Sequence, residues 1–170
     1  MTATTKAVFR VVIDGGIDAV WRELTKQGEA QAAVFNAWLH AQALAPGKKI
    51  QMRTASGKYV MVVGKVTDFS PPRRFAHTFR FTQYDDPECE VIYELKQLPA
   101  GVECTLTVDR MPVGSKTAKS MQDGGTMIVN TLKAVVETGK PPLKIRLMYW
   151  VFGVMEFVLP KKSAANNWPL

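Results

Sequence analysis

The stretch from Gly64 to Phe81 constrains the fold more than any other part of the chain. Gly64-Lys-Val-Thr-Asp-Phe leads into Ser70-Pro71-Pro72 and out through Arg73-Arg-Phe-Ala-His-Thr-Phe-Arg-Phe81. Two consecutive prolines cannot donate ladder hydrogen bonds, so they end one strand and turn a corner before the next. Beyond that corner Phe75, His77, Phe79 and Phe81 share one face, while Arg74, Ala76, Thr78 and Arg80 share the other. Strict period two of this kind predicts a half-buried β-strand.

The same alternation predicts strands over 6–14, 49–55, 59–68, 89–97 and 102–109. Ser56-Gly57 and Leu98-Pro99-Ala100-Gly101 supply the turns between neighbours. If 89–109 folds as a hairpin about Pro99-Ala100, Cys104 lies opposite Leu95 and Cys89 near Arg110. That separation exceeds the reach of a disulfide, so two free thiols are expected. Helical spacing appears in four places. Ile17, Val20, Trp21 and Leu24 form one stripe, and the alanine-rich 29–43 segment forms a second through Val34, Phe35, Trp38 and Leu39. The longest pattern, 115–138, places Met121, Gly125, Ile128, Leu132 and Val135 on one face and stops at Gly139 with prolines beyond. The last, 143–159, is apolar nearly all round and too short to span a bilayer, which takes about 20 apolar residues. Residues 164–170 read as a loose end.

At 170 residues, 46% hydrophobic and 22% charged, the chain suits one domain with its own core and needs no staple. Its net charge of +7 is spread along the sequence, with no run that interleaves cations and exposed aromatics, so nucleic-acid binding is not expected. Two histidines exclude a multi-histidine metal site, and neither GxGxxG nor a P-loop occurs, so neither metal nor cofactor is expected. Residues 1–6 lack the apolar core of a signal peptide, which suggests a cytoplasmic protein.

The order of elements, strand, helix pair, five strands and long helix, resembles the START-like (SRPBCC) superfamily. More narrowly it resembles the family named after the activator of the heat-shock protein 90 ATPase. The matching pieces are Ile13-Asp14 with Val20-Trp-Arg-Glu-Leu-Thr25, Pro46-Gly47, Gly64 to Phe75, Val91-Ile-Tyr-Glu-Leu95, Gly101 to Leu106, and Leu132-Lys133. The resemblance implies an α+β helix-grip fold in which a curved antiparallel sheet of about six strands wraps a long C-terminal helix. Residues 1–140 would form that domain and 141–170 an apolar extension. It also implies a cavity between sheet and helix, which in many relatives holds an apolar or aromatic small molecule.

Candidate wall residues are Met52, Met61, His77, Phe79, Phe81, Tyr93, Cys104, Gly125 and Ile128, with Phe35 and Trp38 at the mouth. The same residues would equally make a closed core, and a lone histidine between phenylalanines is more often a hydrogen-bonded core residue than a ligand contact. The family commonly carries Gly-Trp where this chain has Gly124-Gly125, so the vacated volume is expected to hold a ligand or to be filled by Met127 or Trp150. Three readings of function follow. The first is non-enzymatic binding of a hydrophobic small molecule. The second is a cyclase- or dehydratase-like enzyme using His77 or Tyr93 as acid or base. The third is an interaction module, co-chaperone-like or homodimeric, acting through residues 143–160, with membrane-surface contact ranked behind packing against protein.

Overall fold

The computed structural model describes residues 2–170. In chain order the elements are β1 (Thr4–Ile13), α1 (Ile17–Thr25), β2 (Ala30–Gln31), β3 (Ala37–Ala41), β4 (Lys49–Arg53), β5 (Val60–Ser70), β6 (Arg74–Phe81), β7 (Cys89–Leu98), β8 (Gly101–Pro112), α2 (Lys116–Thr138) and α3 (Leu143–Val154). The strands form one eight-stranded antiparallel sheet, in the order β1-β8-β7-β6-β5-β4-β3-β2. It curls around α2, which packs chiefly on β1 and β8. This is the helix-grip arrangement, with eight strands where about six were expected.

The two additional strands come from the segment read as a helix over 29–43. Phe35 and Asn36 both adopt left-handed backbone, at φ 52° and 56°, and reverse the chain between β2 and β3. β3 then pairs with β4, Leu39 opposite Met52 and Ala41 opposite Ile50. Ala37, Leu39 and Ala41 carry a period-two pattern that coincides with the helical stripe over this short span. Alanine's helix preference amounts to a few tenths of a kcal/mol per residue, and pairing the open β4 edge outweighs it. The turn is anchored to α1: the Gln31 amide donates to the Leu24 carbonyl at 2.8 Å, and the Glu23 carboxylate accepts from Ala33 N–H at 3.3 Å.

Helix α2 has chemically defined ends. The Ser115 hydroxyl accepts from Ala118 N–H at 3.0 Å, and Gly139 closes the helix at φ 79°. Lys133 Nζ reaches both the Val12 carbonyl and Glu137 Oε1 at 2.6 Å, and Glu137 in turn accepts from Asp14 N–H. These bonds fasten the C-terminal end of α2 to the end of β1. The hydrogen bond from Lys133 is the main reason the Glu137 carboxyl is held below its ordinary pKa.

The tail beyond α3 is ordered. It passes the edge of the sheet, where the Thr82 and Ser163 hydroxyls hydrogen-bond at 2.8 Å and Ala165 N–H donates to the Lys58 carbonyl at 2.8 Å. It then crosses the outer face, where the Gln51 amide donates to the Trp168 carbonyl and the Arg80 guanidinium lies 5.4 Å from the Trp168 ring. Residues 164–170 are therefore a strap, held by hydrogen bonds that link positions about a hundred residues apart. Cys89 and Cys104 are free and buried, and Cys104 does pair with Leu95.

Both mid-helix glycines of α2 are buried, yet they do different work. A Cβ on Gly125 would stand only 2.1–2.5 Å from three carbons of the Phe9 ring of β1, whereas one on Gly124 would meet only Phe35 Cζ, at an ordinary 3.5 Å. Gly125→Ala is expected to destabilise the protein by about 1–3 kcal/mol through overpacking, despite alanine's better helix propensity. Gly124→Ala is expected to stabilise it by up to about 1 kcal/mol. Urea unfolding of the two variants checks the opposite signs, and Phe9→Leu should relieve the first.

Candidate functional site

The inner face of the sheet carries a continuous line of aromatic rings. Trp21 of α1 meets Phe69, which meets Phe75, and the series continues through His77, Phe79 and Phe81 to Tyr84, with successive centroids 4.7–6.5 Å apart. Strand alternation aims Phe75, His77, Phe79 and Phe81 inward, and the Phe69–Phe75 and Val62–Phe81 pairings carry the line between β5 and β6. Edge-to-face contacts such as Phe79–Phe81, at an interplanar angle of 87°, satisfy the ring quadrupoles.

His77 is the polar break in this wall. It is fully buried, and its Nδ1 lies 2.8 Å from the Thr78 carbonyl oxygen. A carbonyl can only accept, so the proton sits on Nδ1. Burial pushes the imidazole pKa down to about 4, against smaller upward pulls from the Thr78 carbonyl and the Glu90 charge, so the ring is neutral at pH 7. Its Nε2 is then a bare acceptor, and it has no hydrogen-bond partner among the described residues. Tyr93 pairs with Phe75 across β6 and β7, and burial raises its hydroxyl above the ordinary tyrosine pKa. Burial likewise pushes both cysteine thiols up to about 12, so neither is a thiolate nucleophile at neutral pH.

The structure brings most of the sequence-predicted wall together. Met52, Phe79, Tyr93, Cys104 and Ile128 are buried members of one apolar cluster, and Phe81 packs against it. Met61 is the extra residue of a β-bulge, since Met52 and Arg53 pair with Val62 and Val60. Trp38 lies elsewhere. It pairs with Arg53, while its neighbour Leu39 pairs with the inward Met52, so it projects from the outer face and not into the mouth. Phe35 is 40% exposed, on the β2–β3 turn beside Gly124. The space at Gly125 is taken by Phe9, in place of a ligand, Met127 or Trp150; Trp150 is itself 66% exposed.

Sequence reading missed the contacts around the β2–β3 turn. Glu23 is buried and pairs with Lys26 at 2.7 Å, and the Tyr149 hydroxyl of α3 donates to the Ala32 carbonyl at 2.8 Å. Spacing within α1 hinted at the first pair (i, i+3), but nothing local signals the second contact. Two concavities among the described residues lie outside the grip. One, of about 270 Å³, is bounded by Lys49, Gln51, Lys65 and Trp168; the other, of about 420 Å³, lies beside Val113 and the start of α2. No cluster of His, Cys, Asp and Glu suited to a metal ion occurs among the described residues.

A curled antiparallel sheet gripping a long helix through an aromatic wall defines a START-like (SRPBCC) domain. The family profile described as Activator of Hsp90 ATPase homolog 1-like protein matches residues 3–137, and the chain belongs to that family. Solved structures share the fold at low identity. CalU16 from Micromonospora echinospora is 18% identical, with TM-score 0.62 over 91% of this chain and 87% of its own. The Aha1 dimer from Colwellia psychrerythraea is 15% identical, with TM-score 0.62 over 80% and 98%. PFC0360w, an HSP90 activator from Plasmodium falciparum, is 13% identical, with TM-score 0.62 over 76% and 94%. No curated protein matches.

The buried neutral His77 makes stability sensitive to acid. Its folded pKa lies below the unfolded value near 6.5, so the unfolded chain takes up the proton first. The contribution is fully present above pH 6.5 and is lost as pH falls toward about 4, on the order of 3 kcal/mol in all. Urea unfolding at pH 7 and pH 4.5 is expected to show a larger acid loss for the wild type than for His77→Phe.

Proposed function

We propose that the chain binds an apolar or aromatic small molecule carrying one hydrogen-bond donor, and holds it without chemical conversion. The observation that carries this reading is the unpartnered Nε2 of His77, buried between Phe75 and Phe79. A buried acceptor left unpaired costs about 1–3 kcal/mol, and a ligand hydroxyl or N–H would recover much of it. The flanking rings supply the apolar surface that such a ligand requires.

Entry would be over the β2–β3 turn. Phe35 is the side chain there with most freedom, being 40% exposed and facing Gly124, where even an added Cβ would meet its Cζ only at 3.5 Å. A proton-transfer role for His77 fits less well. With a pKa of about 4 it is a weak base at pH 7, and no second acid or base touches Nε2. Two free buried thiols suit a cytoplasmic setting, and no helix among the described residues is long and apolar enough to cross a membrane.

2-Naphthol and naphthalene separate the polar contribution from the apolar one. Fluorescence titration is expected to give about tenfold tighter binding of 2-naphthol, the equivalent of one net hydrogen bond. His77→Phe should abolish the preference while circular dichroism stays unchanged. Equal affinities in the wild type, or a preference that survives the substitution, would exclude His77 as the polar contact.

A further inference from the structure

Helix α3 buries none of its residues, although it is the most apolar helix of the chain. At 3.6 residues per turn, Leu143, Leu147, Trp150 and Val154 fall within a stripe about 60° wide. All four are exposed, Leu143 to 77%. Lys144 and Arg146 project about 80° to either side of that stripe. Immediately beyond the helix, Phe157 and Val158 extend the apolar surface, at 78% and 60% exposure. The other side of α3 is half-buried at Ile145, Met148 and Tyr149, with the Tyr149 hydroxyl donating to the Ala32 carbonyl, although Phe152 on that side is 53% exposed.

Charge indicates what covers this face. Residues 140–162 contain five cations, Lys140, Lys144, Arg146, Lys161 and Lys162, and one carboxylate, Glu156. Glu156 is turned toward the domain, where it accepts from Ser56 Oγ at 2.8 Å. A second copy would bring the same cations to the rim of the contact and almost no carboxylate to meet them. Lys162 is already paired with Asp85 at 3.2 Å, which leaves Lys144 and Arg146 beside the stripe for an anionic surface to meet, and tryptophan and phenylalanine are the side chains that settle at the headgroup boundary of a bilayer. The helix is 12 residues long and lies along the protein surface, as an interfacial helix does and a spanning one does not.

We infer that α3 and the turn after it dock on an anionic lipid surface, with Leu143, Leu147, Trp150, Val154 and Phe157 entering the headgroup–acyl boundary and Lys144 and Arg146 among the headgroups. This surface is separate from the interior site at His77, and its docking does not depend on ligand binding there.

Co-sedimentation of the full chain with vesicles tests the inference. Binding is expected to vesicles of phosphatidylcholine containing phosphatidylserine, with little to phosphatidylcholine alone, and to weaken in high salt. Lys144→Glu combined with Arg146→Glu should lower the partition coefficient by about tenfold or more. Leu147→Gln combined with Trp150→Gln, both exposed positions, should abolish binding while circular dichroism and the urea midpoint are unchanged. Val113→Gln, at an exposed apolar position away from α3, should bind as the wild type does and controls for non-specific hydrophobic contact. The inference is overturned if the folded protein ignores anionic vesicles, if the α3 variants bind as well as the wild type, or if light scattering shows a dimer that the Leu147/Trp150 variant dissolves.

Discussion

The seating of the Phe9 ring against Gly125 is the contact on which the grip depends. Helix α2 can lie close against β1 only because the position facing Phe9 carries no side chain. One residue earlier, Gly124 receives Phe35 from the turn between β2 and β3. β1 and β2 are the two opposite edges of the sheet, so adjacent glycines of one helix accept aromatic rings from both ends of the curl. A glycine in mid-helix costs about 1 kcal/mol in propensity, against which stands the packing of the partly buried Phe9 ring on the core. The bond of Lys133 to the Val12 carbonyl and of Glu137 to Asp14 N–H then sets the helix along β1.

With α2 held in this way, the aromatic line from Trp21 to Tyr84 becomes the inner wall of the grip. Its rings satisfy one another, and among the described residues the fully buried polar atom of this wall without a partner is Nε2 of His77. The imidazole is oriented by its own strand, through the Thr78 carbonyl, and so is fixed without any partner from the interior. A wall that is otherwise self-complementary thus presents one acceptor in a defined direction. Around it, the C-terminal segment divides into two parts with opposite fates: residues 161–168 tie onto the sheet through Thr82, Gln51 and Arg80, while α3 leaves its apolar stripe in solvent. Tyr149 links the other side of that helix to the turn carrying Phe35.

Much of this was legible residue by residue. The alternation of β6, β7 and β8, the Cys104–Leu95 register, the span of α2 with its Gly139 stop, and the inward direction of His77, Phe79 and Tyr93 all follow from period and turn chemistry acting over a few residues. The reading failed where two periods overlap or where a distant partner decides. Segment 29–43 satisfies both helical and strand spacing, and only the open edge of β4 selects the strand. Trp38 changes face as a result, because in a strand it points opposite to Leu39, whereas in a helix the two would share a stripe. The filling of the Gly125 notch by Phe9 depends on a residue 116 positions away, on a strand whose own pattern shows only that Phe9 points inward.

The sequence by itself determined the strands from β5 to β8, the long helix and the presence of an apolar tail helix, because each depends on local periodicity or composition. Only the tertiary structure decided which side chain fills the glycine notch, that His77 keeps one nitrogen unpaired, and that α3 stays uncovered while the strap after it is tied down. These are outcomes of packing between segments far apart in the chain. The pattern of one segment specifies which way a side chain points, and the atom it meets is set by the rest of the fold.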